Sequence, residues 1–360
     1  MTSGSPGRLI ILFAIPLMLG NICQQLYTMV DTMVVGQIAG VEALAALGAV
    51  DFLMWVVTGI STGLTQGFSI QLSQYYGAKD FENLRKSLAH SYRLTAFIAV
   101  GVFILSQSFA SLILTGLHTP SNIIGMSLLY LRIIFCGILA TAAYNMFASA
   151  LRAMGNSKTP LTAMIIASVL NVSLDILFVA GFGWGVAGAA VATVIAQNFS
   201  AVYCFLILRR IDIVHLTKTD FMPASGMNAR LMKLGIPVVF QNIIIGVGGL
   251  VVQYVINGYG FLFVAGFTAT NKLYGLLEMA AISYGYAIVT YVGQNLGAGK
   301  IDRIRKGVRS SMLLSLLTSL IISAAMFLFG KNILSLFISG EPQQTQQVLA
   351  IAFKYLSIMA

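Results

Sequence analysis

Two carboxylates lie inside long apolar runs, where a charged side chain is costly. Asp31 is the only charged residue between Leu9 and Gly36. Asp175 follows Asn171 by four residues, so the two share one face of a helix. An ionisable residue within a membrane span faces protein or water rather than lipid and is by default a functional-site hypothesis.

The predicted depths of these side chains agree. Asp31 and Asp175 each lie a few residues from the outer end of a span, and Thr193 lies about seven residues into the span that follows Asp175. At about 1.5 Å per residue, all of them fall roughly 6–10 Å below the outer surface. Carboxylate, amide and hydroxyl oxygens at one level suit a hard cation such as Na⁺, and two neighbouring acids also favour sharing a proton. We therefore predict a cation-coupling site, with the same residues as Na⁺ ligands if sodium is the ion: Asp31, Asn171, Asp175 and Thr193. The alternative is that the acids snorkel to the outer interface or accept structural hydrogen bonds.

A second group of charges lies deeper in apolar sequence. Asp51, Lys272 and Glu278 are candidates for a substrate cavity, and they are equally consistent with structural pairing.

Enzyme signals are weak. The three histidines are scattered, and the three cysteines lie in apolar runs without metal spacing. The GAGK segment at Gly297–Lys300 lacks the first Gly and the final Ser or Thr of a phosphate-binding loop. We expect no enzyme activity and no cofactor other than a coupling ion, Na⁺ or H⁺.

The elements that position these residues are membrane helices. Of 360 residues, 58% are hydrophobic and 9% are charged, whereas soluble domains are about 25% charged. All-α spans are expected because each backbone group must be satisfied within its own segment. We predict spans at Ile10–Val35, Leu44–Ser69, Leu88–Leu114, Met126–Ala150, Leu161–Ala180, Val186–Leu208, Leu231–Ile256, Phe263–Val289 and Val308–Phe329, with a tenth beginning near Val348.

The basic residues predict the orientation. With the N-terminus and the loops after even-numbered spans on one side, that side carries 17 of the 21 Lys and Arg residues. By the positive-inside rule it is cytoplasmic. We expect a multi-pass protein of the plasma membrane with a cytoplasmic N-terminus, in contact with lipid. The net charge of +10 is thus a topology signal and not the mark of a nucleic-acid partner.

The chain repeats itself after about 220 residues. Pro16 returns as Pro237, and QYYGAKDFENLRKS from Gln74 returns as QNLGAGKIDRIRKG from Gln294. The shift spans six helices, an even number, so both copies enter the membrane in the same direction. This predicts two six-helix lobes related by a pseudo-twofold axis along the membrane normal.

The predicted domains follow from the repeat. The first lobe is residues 1–210, a cytoplasmic linker is residues 211–228, and residues 229–360 form the second lobe, which we expect to be incomplete after about 3.5 helices. The second copy has no acid at the position equivalent to Asp31, so the coupling site belongs to the first lobe.

Several separated motifs resemble the multidrug and toxic compound extrusion (MATE) family. They are Pro16 with VDTMVVG in the first span, the QxxGA segments at Gln74 and Gln294, LRAMGNSKTP at Leu151–Pro160 and NVSLD at Asn171–Asp175. The resemblance implies two six-helix lobes that export drugs and toxic organic cations in exchange for Na⁺ or H⁺.

Residue roles also follow from the resemblance. Asp31, Asn171, Asp175 and Thr193 match the first-lobe cation site of the DinF-like branch, and Pro16 matches a proline at which the first helix bends. Ile245 stands roughly where the NorM-like branch carries a glutamate. The alternatives are a lipid-linked precursor flippase of related architecture, which would want more cationic side chains in its cavity, and a non-transporting membrane scaffold.

Overall fold

The computed structural model describes residues 1–117, 119–257, 259, 261–335 and 342–359, and this part of the chain is helical without a β-strand. The α-helices are α1 (Pro6–Val34), α2 (Val41–Gly48), α3 (Asp51–Ala78), α4 (Phe81–Gly116), α5 (Ile124–Cys136), α6 (Ile138–Ala153), α7 (Lys158–Asp175), α8 (Gly185–Arg209), α9 (Met227–Asn257), α10 (Phe261–Gly297), α11 (Ile301–Ser335) and α12 (Pro342–Met359). Two π-helical segments, Val35–Ala39 and Ile176–Gly181, extend α1 and α7.

Eight of the ten predicted spans coincide with helical segments that are long and apolar enough to cross a membrane. Seven are continuous, and the eighth is the pair α5 and α6, which meet at a 45° bend. The other two predicted spans coincide with α10 and α12. The all-α, polytopic membrane architecture is therefore confirmed.

The repeat is visible in the bounds of the helices. α1, α3 and α4 return as α9, α10 and α11, each displaced by about 220 residues. α1 and α9 each contain an internal proline, Pro16 and Pro237. Past the ends of α3 and α10, the equivalent residues Lys79 and Gly299 both have positive φ.

The two copies meet reciprocally where α3 crosses α10. A Cβ on Gly77 would overlap the backbone carbonyl of Gln294, and a Cβ on Gly297 would overlap that of Gln74. When residue i contacts residue j of the other copy and the equivalent pair is exchanged, the contact lies on a twofold axis. The QxxGA repeat thus places the close approach of the lobes on their pseudo-twofold.

We call the end of the bundle that carries Arg8, Lys79, Arg152, Arg209 and Lys300 the basic face.

The α8–α9 connection is folded against α4 at this face. His90 Nε2 lies 3.0 Å from the Met222 carbonyl of this connection, and its Nδ1 lies 2.7 Å from Oδ1 of Asn228 in the first turn of α9. The Asp220 carboxylate accepts from the Thr217 amide and hydroxyl, both at 2.8 Å. The predicted linker is therefore structured.

Candidate functional site

The four residues predicted to form the coupling site are all buried. Asp31 comes from the last turns of α1, Asn171 and Asp175 from α7, and Thr193 from α8. Their exposed fractions are 5%, 0%, 0% and 8% respectively. The Asn171 amide donates to Thr193 Oγ1 at 3.4 Å. α1 packs on α7 and α7 on α8, so α7, which carries two of the four side chains, contacts both of the other helices.

Four oxygens of this group are buried without a hydrogen-bond partner in the described part of the chain. Asp31 Oδ1, Asn171 Oδ1 and both carboxylate oxygens of Asp175 are buried acceptors without a donor among the described residues. A buried polar atom left unpaired costs about 1–3 kcal/mol, more if charged. A group of such acceptors fits a bound cation or a bound proton, since either would supply the missing positive partner.

The charge and the ligand atoms of this group suit a small cation or a proton. The two aspartates interact electrostatically with each other. Among the residues that the structure describes, no three acidic, histidine or cysteine side chains gather as a metal site would require. Two carboxylates with an amide and a hydroxyl are hard oxygen donors, which suit Na⁺ or a shared proton.

Both acid-bearing helices change winding directly after the acid. α1 passes into the π-helical segment Val35–Ala39 four residues after Asp31, and α7 passes into Ile176–Gly181 immediately after Asp175. These two segments touch each other. π-helical turns are rare and are frequently found at functional sites. The irregular backbone is thus concentrated beside the two carboxylates.

A polar cavity of about 270 Å³ opens next to the acid site. Thr193 belongs to both, because it accepts from Asn171 and also lines the cavity. Among the described residues, the lining consists mostly of amide, hydroxyl and phenol groups, with Arg152 as its cation and no carboxylate. It is formed by Asn21, Gln24, Tyr27, Thr58, Thr62, Thr141, Tyr144, Asn145, Arg152, Met164, Ala167, Thr193, Ala196, Gln197, Ser200 and Tyr286.

The cavity is closed toward the basic face by contacts between the first copy and α10. The Asn21 amide donates to Ser283 Oγ at 3.2 Å. The guanidinium of Arg152 lies over the ring of Tyr286, 4.9 Å from its centroid. Beyond this layer, Gln294 Nε2 donates to the Ala153 carbonyl at 2.7 Å. α10 therefore seals one end of the cavity.

The other predicted site residues lie elsewhere. Pro16 is buried in α1, which continues through it as one helix. Asp51 is exposed at the start of α3 and interacts electrostatically with Asp31. Glu278 is exposed and lines a separate pocket of about 210 Å³ with Tyr284 and Thr318. The side chain of Lys272 lies outside the described residues. Neither Asp51 nor Glu278 lines the polar cavity, and a substrate role for these residues stays a prediction.

The sequence-based reasoning missed the cavity, although a signal for it is present. Asn21, Gln24 and Tyr27 recur at intervals of three along α1 and lead to Asp31 after four more residues. Thr193, Gln197 and Ser200 recur similarly along α8. Polar residues at helical spacing in an apolar helix mark a face turned away from lipid. The helical spacing of uncharged polar residues on α1 and α8 therefore predicts this part of the cavity lining, which the charged residues alone do not.

Comparison with known proteins agrees with the fold and the repeat. The MatE family model matches residues 16–177 and 237–360. The chain belongs to the MatE family. The two matched segments begin at Pro16 and Pro237, which are equivalent positions of the repeat. Both copies therefore carry the family pattern, and the resemblance seen in the sequence motifs is confirmed.

Two curated relatives extend over most of the chain. The chain is 32% identical to the probable multidrug resistance protein YpnP of Bacillus subtilis over 358 residues, which cover 98% of this chain and 80% of that protein. It is 26% identical to the probable multidrug resistance protein NorM of Thermotoga maritima over 339 residues, covering 93% and 72%.

Solved structures show the same fold. A MOP superfamily transporter from Pyrococcus furiosus superposes with a TM-score of 0.92 at 23% identity, covering 98% of this chain and 78% of that one. A multidrug resistance MATE family transporter in an outward-facing conformation superposes with a TM-score of 0.91 at 22% identity, with the same coverage.

Proposed function

We propose that this protein is a secondary active multidrug exporter that exchanges Na⁺ or H⁺ for small toxic compounds, organic cations included, across the plasma membrane. The basic face is cytoplasmic in this proposal. The observation that carries it is the set of buried, unpaired oxygens on Asp31, Asn171 and Asp175 beside a polar cavity. The multidrug resistance relatives support the substrate class.

The coupling runs through shared residues. An ion entering from the outer side supplies the positive partner that the buried oxygens lack. Its arrival competes with the Asn171 amide for the Thr193 hydroxyl oxygen, and Thr193 also lines the cavity. Ion occupancy and cavity shape are therefore linked within one layer of side chains, and an ion that favours one state lowers the affinity for a compound that favours the other.

The access change uses the contacts between lobes. In the structure the cavity is closed toward the basic face by Asn21, Arg152 and their partners on α10. Loading from the cytoplasm requires these contacts to open while the lobes rock about the α3–α10 crossing. Pro16 removes one backbone hydrogen bond from α1, the one that residue 16 would donate to Leu12, and so weakens the helix where a bend would change the distance between Asp31 and α10.

The test is efflux of a fluorescent organic cation from proteoliposomes under an imposed Na⁺ or H⁺ gradient. We expect the protein to respond to one of the two gradients and Asp31→Asn to abolish that response. Asp302→Asn, at the start of α11 on the basic face, is the matched control and should behave as the unmodified protein. Efflux by Asp31→Asn equal to that of the unmodified protein would rule out the coupling role.

A further inference from the structure

Arg152 is a cation at the floor of the polar cavity without a carboxylate partner. Within the described residues the ion pairs are Arg85 with Asp220 and Lys86 with Glu82, and neither involves Arg152. Its guanidinium donates to Ser149 Oγ at 2.9 Å and lies over the ring of Tyr286, 4.9 Å from the centroid. A guanidinium carries five N–H donors, and the Arg152 side chain lines the cavity with one of its nitrogens bonded to Ser149.

The cavity has two electrically different ends. Arg152 stands at the end near the basic face, and Thr193 at the other end touches the acid site through Asn171. Along α6 the lining runs from Thr141 to Arg152, which at about 1.5 Å per residue spans roughly 16 Å. The walls between are uncharged amides, hydroxyls and phenols. A ligand lying along this axis therefore meets a cation at one end, and at the other end Thr193 and Asn171 separate it from the two carboxylates.

We infer that Arg152 binds the anionic group of amphoteric substrates, whose cationic group points toward Asp31 and Asp175. This inference rests on the proposed export function and names its substrate class: compounds that carry both a carboxylate and a cationic group, with the two charges at opposite ends of the molecule. Planar bidentate recognition of a carboxylate is the chemistry to which arginine is best suited. The contact with the Tyr286 ring restrains the guanidinium before a ligand arrives, which lowers the entropy lost on binding.

A purely structural role for Arg152 has a different signature. As the basic residue in the last turn of α6, it also complements the helix dipole, and its stacking joins α6 to α10. A variant that loses only those effects would bind every ligand with lower affinity, to the same extent. Losing an anion contact weakens only ligands that carry an anion.

The experiment uses an aminoxanthylium dye with a free carboxylate, which is a zwitterion, and the methyl ester of the same dye, which is a cation. Affinity for the purified protein is measured by fluorescence polarisation, and efflux is measured separately in proteoliposomes. We expect Arg152→Gln to weaken binding of the free acid about tenfold or more, as for loss of a charge-assisted hydrogen bond. The affinity for the ester should change less than about twofold, because the ester has no carboxylate to accept a hydrogen bond from Arg152.

Two further variants sharpen the result. Arg152→Lys keeps the charge but loses the bidentate fork, so its affinity for the acid should be intermediate. Arg209→Gln is the matched control, because Arg209 also occupies the last turn of its helix and lies over an aromatic ring, Phe205, but does not line the cavity. It should bind both dyes normally.

Each outcome decides the point. Equal weakening of acid and ester by Arg152→Gln, or no weakening of the acid, overturns the inference, as does failure of the unmodified protein to bind the acid. Arg152-dependent binding without gradient-driven efflux would instead overturn the proposed function and leave the binding inference intact.

Discussion

Three glycines on α3 face α9, and replacing each by alanine should give a graded loss of stability. A Cβ on Gly59 would lie 3.7 Å from Asn242 Cβ, which is an ordinary contact. A Cβ on Gly63 would lie 2.9 Å from the Cα of Val239. A Cβ on Gly67 would overlap the backbone of Gly235. The room for an added methyl group thus decreases from Gly59 to Gly63 to Gly67, at successive turns of one helix.

The magnitudes follow from these distances. Carbon atoms prefer a separation of about 3.5–4.0 Å, so Gly63→Ala forces α3 and α9 apart by roughly 0.6–1.1 Å. Overpacking of this kind costs about 1–3 kcal/mol, and the helix gains about 0.5–1 kcal/mol from replacing glycine. We expect a net loss of about 1–2 kcal/mol at Gly63, a larger loss at Gly67 by the same reasoning, and a small gain at Gly59.

The assay is the melting temperature of the purified variants in one detergent, with gradient-driven efflux as a second measurement. The order should be Gly59→Ala highest, Gly63→Ala lower and Gly67→Ala lowest. α3 and α9 belong to different copies of the repeat, and the proposed transport cycle moves these copies against each other. Efflux should therefore fall in the same order. If Gly67→Ala melts no lower than Gly59→Ala, close packing of these helices is not what holds the two copies together.

The remaining predictions concern the helix proline, the α8–α9 connection and the acid site. Pro16→Ala restores the backbone hydrogen bond to Leu12 and should raise the melting temperature while slowing efflux; faster efflux would contradict a role for the bend. Asp220→Ala removes the acceptor for Thr217 and should cost about 1 kcal/mol, seen as faster proteolysis between α8 and α9, whereas Asp212→Ala, at an exposed position of the same connection, should not. Adding the coupling ion should raise the melting temperature of the unmodified protein by mass action and leave that of Asp175→Asn unchanged; an equal rise in both would place the ion elsewhere.

Much of the architecture could be predicted because membrane spans leave strong patterns. Apolar length and the return of Pro16 at Pro237 predict the helices and the repeat, whereas the orientation inferred from Lys and Arg stays a prediction. The four-residue spacing of Asn171 and Asp175 predicts a shared face, which the structure has. These are periodic or compositional features, and a single sequence displays them directly.

The finer features depend on packing that the pattern does not contain. Nothing in the residues after Asp31 and Asp175 indicates that both helices pass into π-helical turns there. The closure of the cavity by Tyr286 requires α10 to lie against α6, a contact between residues more than a hundred positions apart. The sequence predicts a substrate cavity from charged residues such as Glu278. The polar cavity is instead lined mainly by uncharged amides and hydroxyls, whose spacing is a weaker signal.

The central claim is that the buried oxygens around Asp31 and Asp175 hold the ion that drives export. It is tested most directly by adding the cationic dye to ion-loaded, purified protein in a weakly buffered solution and measuring the release of protons or Na⁺. We predict that the unmodified protein releases one of these ions as the dye binds, and that Asp175→Asn binds the dye without releasing any. Equal ion release from Asp175→Asn and the unmodified protein would contradict the account.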